Sequence, residues 1–412
     1  MPNNNEDVWR NTAERAEAIA VLIALLIQGA MDIPEFLVFY TAFEAMRVQR
    51  VRGEDRFRHF QPIQIETWSA FEVWTEFRFT LPDLHRIYAC FQWPENGFSM
   101  PGERPTHSTS FEAFLIVMHR LANPGKWASS TKIFGPHKMC HLSSMLTQCM
   151  ACMLQQKSHL ITNLPEYYTN PANLRKFASA VYKKTGLLHN IVAFIDGTCK
   201  RICRPKYFQR AFFSGHKRYH CLKFQHLLFP DGIIGHQYGP IEGRHSDSWL
   251  FNASNMETLL KTRFRSPYGP VHVPPPGSGV PPPHVHDGHV QYAIFADSGY
   301  ARMGNYVHTP YRRAHPPPTE AEKTFNKAMS RARVAIEWSF GKIVNIFAFL
   351  SYWRQLKIWL VPVGQYYQLA TLMANCHTCL YGSQTTQHFE VAPPSLEEYL
   401  HWPAPAGGAP AA

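Results

Sequence analysis

The acidic residues Asp196, Asp297 and Glu337 stand in positions from which they could serve one chemical site. Each Asp ends an apolar run, IVAFID or YAIFAD, and each is followed by a glycine within two residues. Such runs, bounded by a turn signal, predict strands that are buried on both faces. The ends of neighbouring strands meet at one edge of a sheet, where ligands commonly bind. Glu337 lies within a long amphipathic helical pattern, so a helix would supply the third carboxylate.

Three carboxylates that converge repel one another, and each raises the pKa of the others unless a cation neutralises them. Mg²⁺ and similar hard cations prefer oxygen ligands. A pair of such ions about 3.5–4 Å apart can activate a water or a 3′-hydroxyl against a phosphodiester. In the alternative interpretation, the two Asp side chains cap turns and Glu337 pairs with Arg333, one helical turn earlier on the same face. The spacing of the residues leaves both interpretations open.

The elements that must position these residues follow Asn190. We predict strands over IVAFID, YHCLKFQHLLFP, GIIGHQYGPI and YAIFAD, an edge strand near YVHTPYR, and helices over about 246–261, 320–347 and 361–380. The Pro230-Asp231-Gly232 turn joins the second and third strands as a hairpin. Residues 266–288 are rich in Pro, Gly and His, and we predict an extended or disordered insertion there.

A helical region precedes the predicted sheet. Residues 110–155 contain a helix ended by Asn123-Pro124-Gly125, then a helix, a Gly-containing turn and a second helix, which is the layout of a helix-turn-helix. In that interpretation polar side chains of the last helix face outward, and basic side chains before it meet phosphates. The candidates are Lys126, Lys132, Lys138, His141, Ser144 and Gln148. Helical bundles with short turns share this layout, so an ordinary bundle is the alternative.

These patterns divide the chain into four regions. We predict an N-terminal helical region over 1–109, a helix-turn-helix-like region over 110–185, an α/β domain over 186–382 that contains the insertion, and a disordered tail over 383–412. The longest uncharged apolar run, Ala18 to Met31, is shorter than the roughly 17–25 residues that a membrane span needs. We therefore predict no membrane span.

The bulk composition limits the classes of partner. The formal net charge is +11 over 412 residues, which favours a polyanion such as nucleic acid or an anionic membrane surface. Nine Cys without dense spacing, and no pattern of a signal peptide, predict reduced thiols in the cytosol or nucleus. The pairs Cys149/Cys152 and Cys376/Cys379 lie in apolar helical patterns, where Cys is typically a small core residue. A zinc site shared by both pairs would need the two helices to meet.

From about Phe111 to Leu380 the chain resembles PIF/Harbinger-type DDE transposases, which belong to the DDE superfamily of endonucleases. The blocks RLANPGKW and IFGPHKMCHLSSML resemble the helix-turn-helix region of that family, and IDGT resembles its first catalytic strand. GHKRYHCLKFQHLLFPDG, GRHSDSWLFNAS and ADSGY resemble successive family blocks. SRARVAIEWSFGKI resembles the helix that bears the third acid, and LATLMANCHTCL resembles the closing helix. The blocks occur in the family's order.

The resemblance implies an α/β fold class, in which an RNase H-like mixed-sheet catalytic domain over 186–382 follows an all-α helical domain with a helix-turn-helix-like segment. It implies that Asp196, Asp297 and Glu337 are the catalytic acids and hold the metal ions. The 266–288 insertion lengthens the interval between the two Asp residues, and it would cover or reshape the DNA channel.

Two further positions gain a role from the resemblance. Asp247, in HSDSWLF, matches an acidic position that the family places near a helix start, which makes it an auxiliary candidate at the site. The alternative for Asp247 is a helix cap formed with Ser246. Arg333 and Lys342 lie near Glu337 and could meet a DNA phosphate, although ordinary salt links along the helix would use the same residues.

The activity that the resemblance implies is that of a DDE nuclease and transposase that depends on Mg²⁺ or Mn²⁺, with a two-metal site. It would cut phosphodiester bonds at transposon ends and join the 3′-hydroxyl ends to target DNA. The alternative is a domesticated, catalytically inactive DNA-binding or adaptor protein on the same scaffold. A metal-dependent phosphoesterase of small substrates is a third hypothesis, against which the basic charge argues. The resemblance also implies a Myb-like DNA-binding partner, a homo-oligomer, and a nuclear location reached through that partner, otherwise a cytoplasmic one.

Overall fold

The computed structural model describes residues 37, 63–100, 106–134, 139–267, 285–286, 288–300, 305–311 and 317–403. Four features of the sequence analysis lie outside these ranges: the apolar run at 18–31, the turn at Gly135-Pro136, Lys138 and most of the 266–288 insertion. In the ranges that are described, no helix has both the length and the apolar character that crossing a bilayer requires.

The described chain is a mixed α/β structure with many helices. The helices are α1 (Ala70–Phe77), α2 (Leu81–Ala89), α3 (Ser110–Ala122), α4 (Trp127–Ser130), α5 (Met139–Lys157), α6 (His159–Thr162), α7 (Pro171–Thr185), α8 (Gln209–Phe212), α9 (Asp247–Ala253), α10 (Met256–Arg263), α11 (Glu320–Ile346), α12 (Val363–Tyr381), α13 (Gln384–Phe389) and α14 (Leu396–His401). The strands are β1 (Phe98–Met100), β2 (Thr106–Ser108), β3 (Ile191–Arg201), β4 (Phe213–Ser214), β5 (Tyr219–Leu228), β6 (Ile234–Glu242), β7 (Arg265–Pro267), β8 (Val285–His286), β9 (His289–Gln291), β10 (Ala293–Ala296) and β11 (Val307–His308).

The main sheet has the order β11-β10-β3-β5-β4, and β6 also pairs with β5. Strands β3, β10 and β11 are parallel to one another, whereas β5 is antiparallel to β3, β4 and β6. The hairpin predicted at Pro230-Asp231-Gly232 is confirmed, because β5 and β6 pair on either side of it. The predicted edge strand near YVHTPYR is β11, which lies at the outer edge beside β10.

Helix α11 is the longest helix of the described chain, and its sequence explains both its start and its orientation. Thr319 caps its N-terminus in a reciprocal capping box with Glu322. Its buried side chains recur at spacings of three and four residues; they are Met329, Ala332, Ala335, Ile336, Ser339 and Ile343. This face packs on β3 and α7. Residues that border the buried face, such as Arg333 next to Ala332, therefore lie close to β3.

One continuous cluster of buried apolar side chains connects the sheet with the helices of the N-terminal and C-terminal segments. Asn375 of α12 extends this packing to the backbone of β6. The Ile234 N–H donates to Asn375 Oδ1 at 3.0 Å, and Asn375 Nδ2 donates to the Ile234 carbonyl at 2.9 Å. An edge strand leaves such backbone groups unpaired, and the amide side chain of Asn375 satisfies both of them.

Three predictions about the fold need correction. The region before Ser110 is not all-α, because β1 and β2 pair as an antiparallel hairpin. The helix predicted over 246–261 is two helices, separated at Asn255, whose φ of 52° interrupts the helical backbone. The ends of the 266–288 insertion join β9 in a small antiparallel sheet of β7, β9 and β8.

The predicted disordered tail is also wrong for the residues up to 403. Helix α13 begins after the capping residue Ser383, and α14 begins after the capping residue Ser395. Helix α14 buries Leu396, Tyr399 and Leu400, which recur at helical spacing and pack into the core cluster.

We expect Gly341→Ala to stabilise the fold. Gly341 lies inside α11, and an added Cβ would meet no atom within 4 Å. Alanine in a helix interior is about 0.5–1 kcal/mol more favourable than glycine. The free energy of unfolding, measured by urea denaturation, should therefore rise by about this amount.

Gly364→Ala, in α12, is the matched control for that substitution. A Cβ at Gly364 would lie 2.6 Å from Cγ of Pro240, so the gain in helix propensity is opposed by a collision. A Gly341→Ala protein that is less stable than the wild type would contradict the prediction, because it would show that a Cβ at position 341 collides with neighbouring atoms in solution.

Candidate functional site

The register of two parallel strands brings Asp196 and Asp297 together. Ile195 of β3 pairs with Ala296, the last residue of β10. Asp196 and Asp297 are the next residues on these two chains, so the predicted neighbourhood of the two carboxylates is confirmed. The position of Asp196 needs one correction, because β3 does not end there. It continues through Arg201 along β5, and Asp196 lies at the point where pairing with β10 stops.

Arg333 of α11 lies between the two carboxylates. Its Nη2 donates to Asp196 Oδ2 at 3.2 Å, and its Nη1 is 3.6 Å from Asp297 Oδ1. The side chains of Arg333 and Asp196 are 12% and 19% exposed, whereas that of Asp297 is 46% exposed. Arg333 therefore pairs with two Asp residues from the sheet and not with Glu337, as the alternative interpretation of the sequence has it. Helical spacing cannot predict this pairing, because the partners are distant in sequence.

Burial governs the acidity of Asp196. It raises the pKa of this carboxyl to about 6, against the lowering effects of the Arg333 charge and of a hydrogen bond from the Gly197 N–H. The charges of Asp297 and Asp247 raise the pKa of Asp196 further. The mutual repulsion expected for converging carboxylates is thus present, although desolvation is the larger cause.

Asp247 is the first residue of α9, whose N-cap is Ser246. The Ser246 side chain accepts from the Trp249 N–H at 3.2 Å, so the predicted cap is confirmed for Ser246. The Asp247 carboxylate instead accepts from Lys223 Nζ of β5 at 2.9 Å. A Cβ at Gly197 would lie 2.3 Å from Asp247 Oδ1, so only glycine next to Asp196 leaves room for this carboxylate.

The turn after Asp297 is fixed by contacts on both sides. The Tyr300 N–H donates to the Asp297 carbonyl at 3.0 Å, and the Tyr300 hydroxyl donates to Gln225 Oε1 of β5 at 3.4 Å. Ser248 Oγ of α9 donates to the Gly299 carbonyl at 2.5 Å. These bonds join the turn to both β5 and α9. Asp297 therefore projects from a turn that is tied to the same elements as Asp247.

Glu337 lies one turn after Arg333 on α11 and is exposed. It lines a cleft of about 500 Å³, whose other walls come from α12 and from the start of α13. Among the described residues, no three His, Cys, Asp or Glu side chains converge closely enough to hold a metal ion. The structure therefore brings together Asp196, Asp297 and the nearby Asp247, but not the complete triad.

The donor chemistry of the Asp pair fits a hard divalent cation. Two carboxylates on adjacent strands offer oxygen ligands to one point, and a cationic group, Arg333, already lies between them. Asp196 is mostly buried, so its charge needs a cation more than a surface carboxylate does. Asp196 and Asp297 thus fit a metal ion, and Glu337 does not contact them in this arrangement.

The polar residues of the helix-turn-helix-like region have mixed outcomes. Lys126 and Lys132 are exposed, as predicted. His141 and Ser144 are 4% and 7% exposed, so the prediction that they face outward is wrong. His141 Nε2 lies 3.1 Å from Ser108 Oγ, because α5 packs this face against α3 and the β1–β2 hairpin.

Gln148 and Lys342 are likewise held by the protein itself. Gln148 Nε2 donates to the Ser99 carbonyl of β1 at 3.0 Å. Lys342 Nζ donates to Thr378 Oγ1 at 2.8 Å and to the Gly382 carbonyl at 2.7 Å, and burial lowers the pKa of Lys342 to about 7. Lys342 therefore joins α11 to the end of α12, where a cation favourably meets the C-terminal carbonyls.

The two Cys-x-x-Cys pairs lie on α5 and α12, and these helices pack against each other. Cys149 and Cys376 are fully buried, and burial raises the pKa of both thiols. Both behave as the core residues that the apolar helical patterns predict. The described residues contain no three-ligand metal cluster at this contact.

Sequence reasoning missed Lys223 and Gly197. Lys223 lies among apolar residues in YHCLKFQHLLFP, and a charged side chain in a buried strand is a signal that it has a paired partner. The sequence pattern predicts a turn at Gly197, but Gly197 lies inside β3 and provides space for Asp247. A glycine inside a strand often marks a close approach of another group.

We expect Arg333→Met to destabilise the protein and to make its stability depend on divalent cations. Without the guanidinium, the carboxylates of Asp196 and Asp297 lose the cation between them, at a cost of about 3 kcal/mol. Mn²⁺ should restore part of the lost unfolding free energy of Arg333→Met. It should stabilise this variant more than the wild type, because in the wild type Mn²⁺ has to compete with Arg333 for the two Asp carboxylates. Urea denaturation with Mn²⁺ or with EDTA measures both effects.

Arg331→Met is the matched control, because Arg331 is exposed on the same helix and forms no ion pair with a described carboxylate. It should leave both the stability and the Mn²⁺ response close to those of the wild type. Equal losses in the two variants, or an Arg333→Met protein that Mn²⁺ does not stabilise, would contradict the role of Arg333 as the cation of this site.

Residues 195–375 match the family described as DDE superfamily endonuclease. The matched range covers less than half of the chain, and it contains Asp196, Asp247, Asp297, Arg333 and Glu337. Comparison with curated proteins and with solved structures finds no match to this chain. The site therefore lies in a segment that is similar to DDE superfamily endonucleases.

Proposed function

We propose that this chain is a divalent-metal-dependent DNA endonuclease whose site is formed by Asp196, Asp297 and Glu337. One observation carries the proposal: the register of β3 and β10 sets two Asp carboxylates side by side around a single cationic group, in the segment that matches DDE superfamily endonucleases. Endonucleases of that family typically use divalent metals. The subtype is the PIF/Harbinger-type transposase, on the sequence blocks described above.

The catalytic domain is RNase H-like in this proposal. Its support is the mixed sheet with helices packed on it, in which the two Asp residues come from neighbouring parallel strands and Glu337 from the helix that packs on β3. The region over 110–185 is the DNA-binding segment, for which Lys126 and Lys132 remain exposed candidates. Helix α5 then acts as the support of that segment, because its polar residues His141 and Ser144 are buried.

The proposal gives each residue of the site a role. Asp196 and Asp297 would hold the metal ions, Mg²⁺ or Mn²⁺, and Glu337 would complete the set from α11. When bound, such ions stabilise the negative charge that develops on a phosphodiester during its cleavage. Arg333 keeps the two Asp carboxylates oriented towards one point. Lys223 neutralises Asp247, so this acid lies beside the site as a supporting residue.

The wider biology of the proposal rests on the family resemblance. The enzyme would cut at transposon ends and join the 3′-hydroxyl ends to target DNA. It would act as a homo-oligomer in the nucleus, with a Myb-like partner that recognises the DNA ends. The charge of +11 agrees with a DNA substrate.

One observation favours a second function, that of a DNA-binding adaptor without catalysis. Glu337 does not join the two Asp residues, and Arg333 forms a pair with both of them. A protein that never binds metal would keep this arrangement permanently. The two functions differ in whether a divalent cation can displace Arg333 and bring Glu337 to the site.

We expect the purified full-length chain to nick supercoiled plasmid with Mn²⁺ or Mg²⁺ but not with EDTA. Asp297→Asn and Glu337→Gln should each lower the nicking rate by about 10²-fold or more, because a neutral amide cannot replace a carboxylate that stabilises the metal ions. Gel separation of supercoiled, nicked and linear plasmid measures the rates.

Glu320→Gln is the matched control, because Glu320 is highly exposed at the start of the same helix. It should cut at the rate of the wild type. A folded wild type that binds DNA and does not cut it, with or without a Myb-like partner, would favour the adaptor. A Glu337→Gln protein that cuts normally would remove Glu337 from the proposed triad.

A further inference from the structure

The segment that follows Asp196 has an unusual charge distribution. Residues 197–230 contain eight Lys or Arg residues and no Asp or Glu. Two of the eight, Lys200 and Lys223, are buried. The other six are exposed: Arg201, Arg204, Lys206, Arg210, Lys217 and Arg218. None of these six forms an ion pair with a carboxylate of the described residues. The segment therefore presents a concentrated positive charge to solvent.

Three aromatic side chains lie among these cations and are unusually exposed. Tyr207 is 50% exposed, Phe208 is 39% exposed and Phe213 is 41% exposed. Exposed large apolar side chains that occur together mark an interaction site more often than single ones do. We call these three aromatic residues and the six exposed cations the basic aromatic surface.

Contacts with neighbouring aromatic residues support the basic aromatic surface. The Arg201 guanidinium lies 4.0 Å from the ring centre of Trp353 and 5.5 Å from that of Tyr219. Tyr219 pairs with Ser214 in the β4–β5 hairpin, which also carries Phe213. The ring of Phe208 lies 6.4 Å from that of Trp359. The surface is thus supported by β3, by the β4–β5 hairpin and by the loop before α12.

The backbone of this segment is strained at two exposed residues. Phe208 has a φ of 55° and Arg218 a φ of 57°, in the left-handed region that residues with a Cβ seldom adopt. Such conformations persist where the surrounding structure imposes them, and they occur frequently at functional sites. Here they fix one exposed aromatic residue and one exposed cation, at the start of α8 and at the turn between β4 and β5.

Strand β3 connects the basic aromatic surface to the candidate site. Asp196 lies at the middle of β3, and Arg201 is its last residue. At about 3.3 Å per residue, the backbone interval between Asp196 and Arg201 is roughly 17 Å, which is about five base-pair steps of rise along a B-form duplex. A DNA substrate held at Asp196 and Asp297 would therefore lie within a few nucleotides of Arg201, the cation of the basic aromatic surface that is nearest to the site in sequence.

We propose that the basic aromatic surface binds unpaired nucleotides of the DNA substrate next to the cut. The exposed cations neutralise phosphates, and Tyr207, Phe208 and Phe213 stack on bases. This combination of a basic track with aromatic platforms is the chemistry of single-strand recognition. Bases in an intact duplex are stacked on each other and offer no free face to the three rings, so a duplex would use the cations alone. The inference rests on the proposed function, because it assumes that the chain acts on DNA.

The test measures binding in EDTA, where the DNA stays uncut. Fluorescence anisotropy compares the full-length chain on a labelled blunt duplex and on the same duplex with a single-stranded extension. The wild type should prefer the extended DNA. Tyr207→Ala and Phe213→Ala should each weaken binding to the extended DNA by about 5- to 150-fold, with a much smaller effect on the blunt duplex, because a stacking partner is lost.

Two further proteins complete the design. Phe71→Ala is the matched aromatic control, because Phe71 is 78% exposed on α1 and outside the basic aromatic surface, and it should bind like the wild type. The double variant Lys206→Gln with Arg210→Gln should lower the slope of log K against log salt by about 0.7 for each phosphate contact that is removed. Circular dichroism of every variant excludes loss of folding as the cause.

The outcomes separate this inference from the proposed function. Equal affinity of the wild type for both DNAs, or an equal loss on both DNAs in the aromatic variants, overturns the inference even if the chain nicks plasmid. A preference for the extended DNA that is lost in Tyr207→Ala and Phe213→Ala supports the inference, and it does so even if the chain never cuts, in which case the adaptor function holds.

Discussion

The repulsion between two carboxylates on adjacent parallel strands is the constraint on which the site depends. The register of β3 and β10 forces Asp196 and Asp297 together, and burial makes the charge of Asp196 costly without a cation nearby. Arg333 supplies that cation from α11. Helix α11 must therefore cross β3 at a position and rotation that place Arg333 between the two Asp side chains. The capping box fixes where α11 begins, and the buried face at helical spacing fixes its rotation against β3.

The charge along β3 changes sign over a short distance. Its middle carries Asp196, with Asp297 and Asp247 nearby, whereas its last residue, Arg201, and the segment after it carry six exposed cations. Lys223 neutralises Asp247 beside the site, so not every acid there needs an external cation. A region of negative charge concentrates cations, and an adjoining region of positive charge attracts a polyanion. Arg201 is on β3 and the other five cations follow it in sequence, so the two regions adjoin. The arrangement agrees with the proposed function, in which an anionic DNA substrate would meet metal ions at the Asp residues.

Much of this arrangement could be predicted from the sequence, because it follows from local patterns. Apolar runs ending in Asp identified β3 and β10, the Pro-Asp-Gly turn identified the β5–β6 hairpin, and the apolar periodicity of α11 located Glu337.

The end of β3 could not be predicted in this way. Residues beyond Asp196 read as a turn because Gly197 follows, yet pairing with β5 continues the strand to Arg201, and such pairing depends on residues distant in sequence. The helix α14 had a local signal, since Leu396, Tyr399 and Leu400 recur at helical spacing after a Ser cap.

The choice of partner for Arg333 shows where local reasoning stops. Helical spacing offers Glu337, four residues later, as a partner worth a few tenths of a kcal/mol on an exposed helix face. The sheet offers two carboxylates, one of them mostly buried, and their need for a cation is much larger. Arg333 therefore pairs with the two Asp residues of the sheet, and Glu337 remains exposed and does not pair with Arg333.

A divalent cation at the same two Asp residues would compete with Arg333 for them. Because binding and conformation are linked reciprocally, whatever moves Arg333 would also change the affinity of the proposed site for metal. In the proposed enzyme, a movement of the Arg333 side chain would thus couple the charge balance of the sheet to the position from which Glu337 would act.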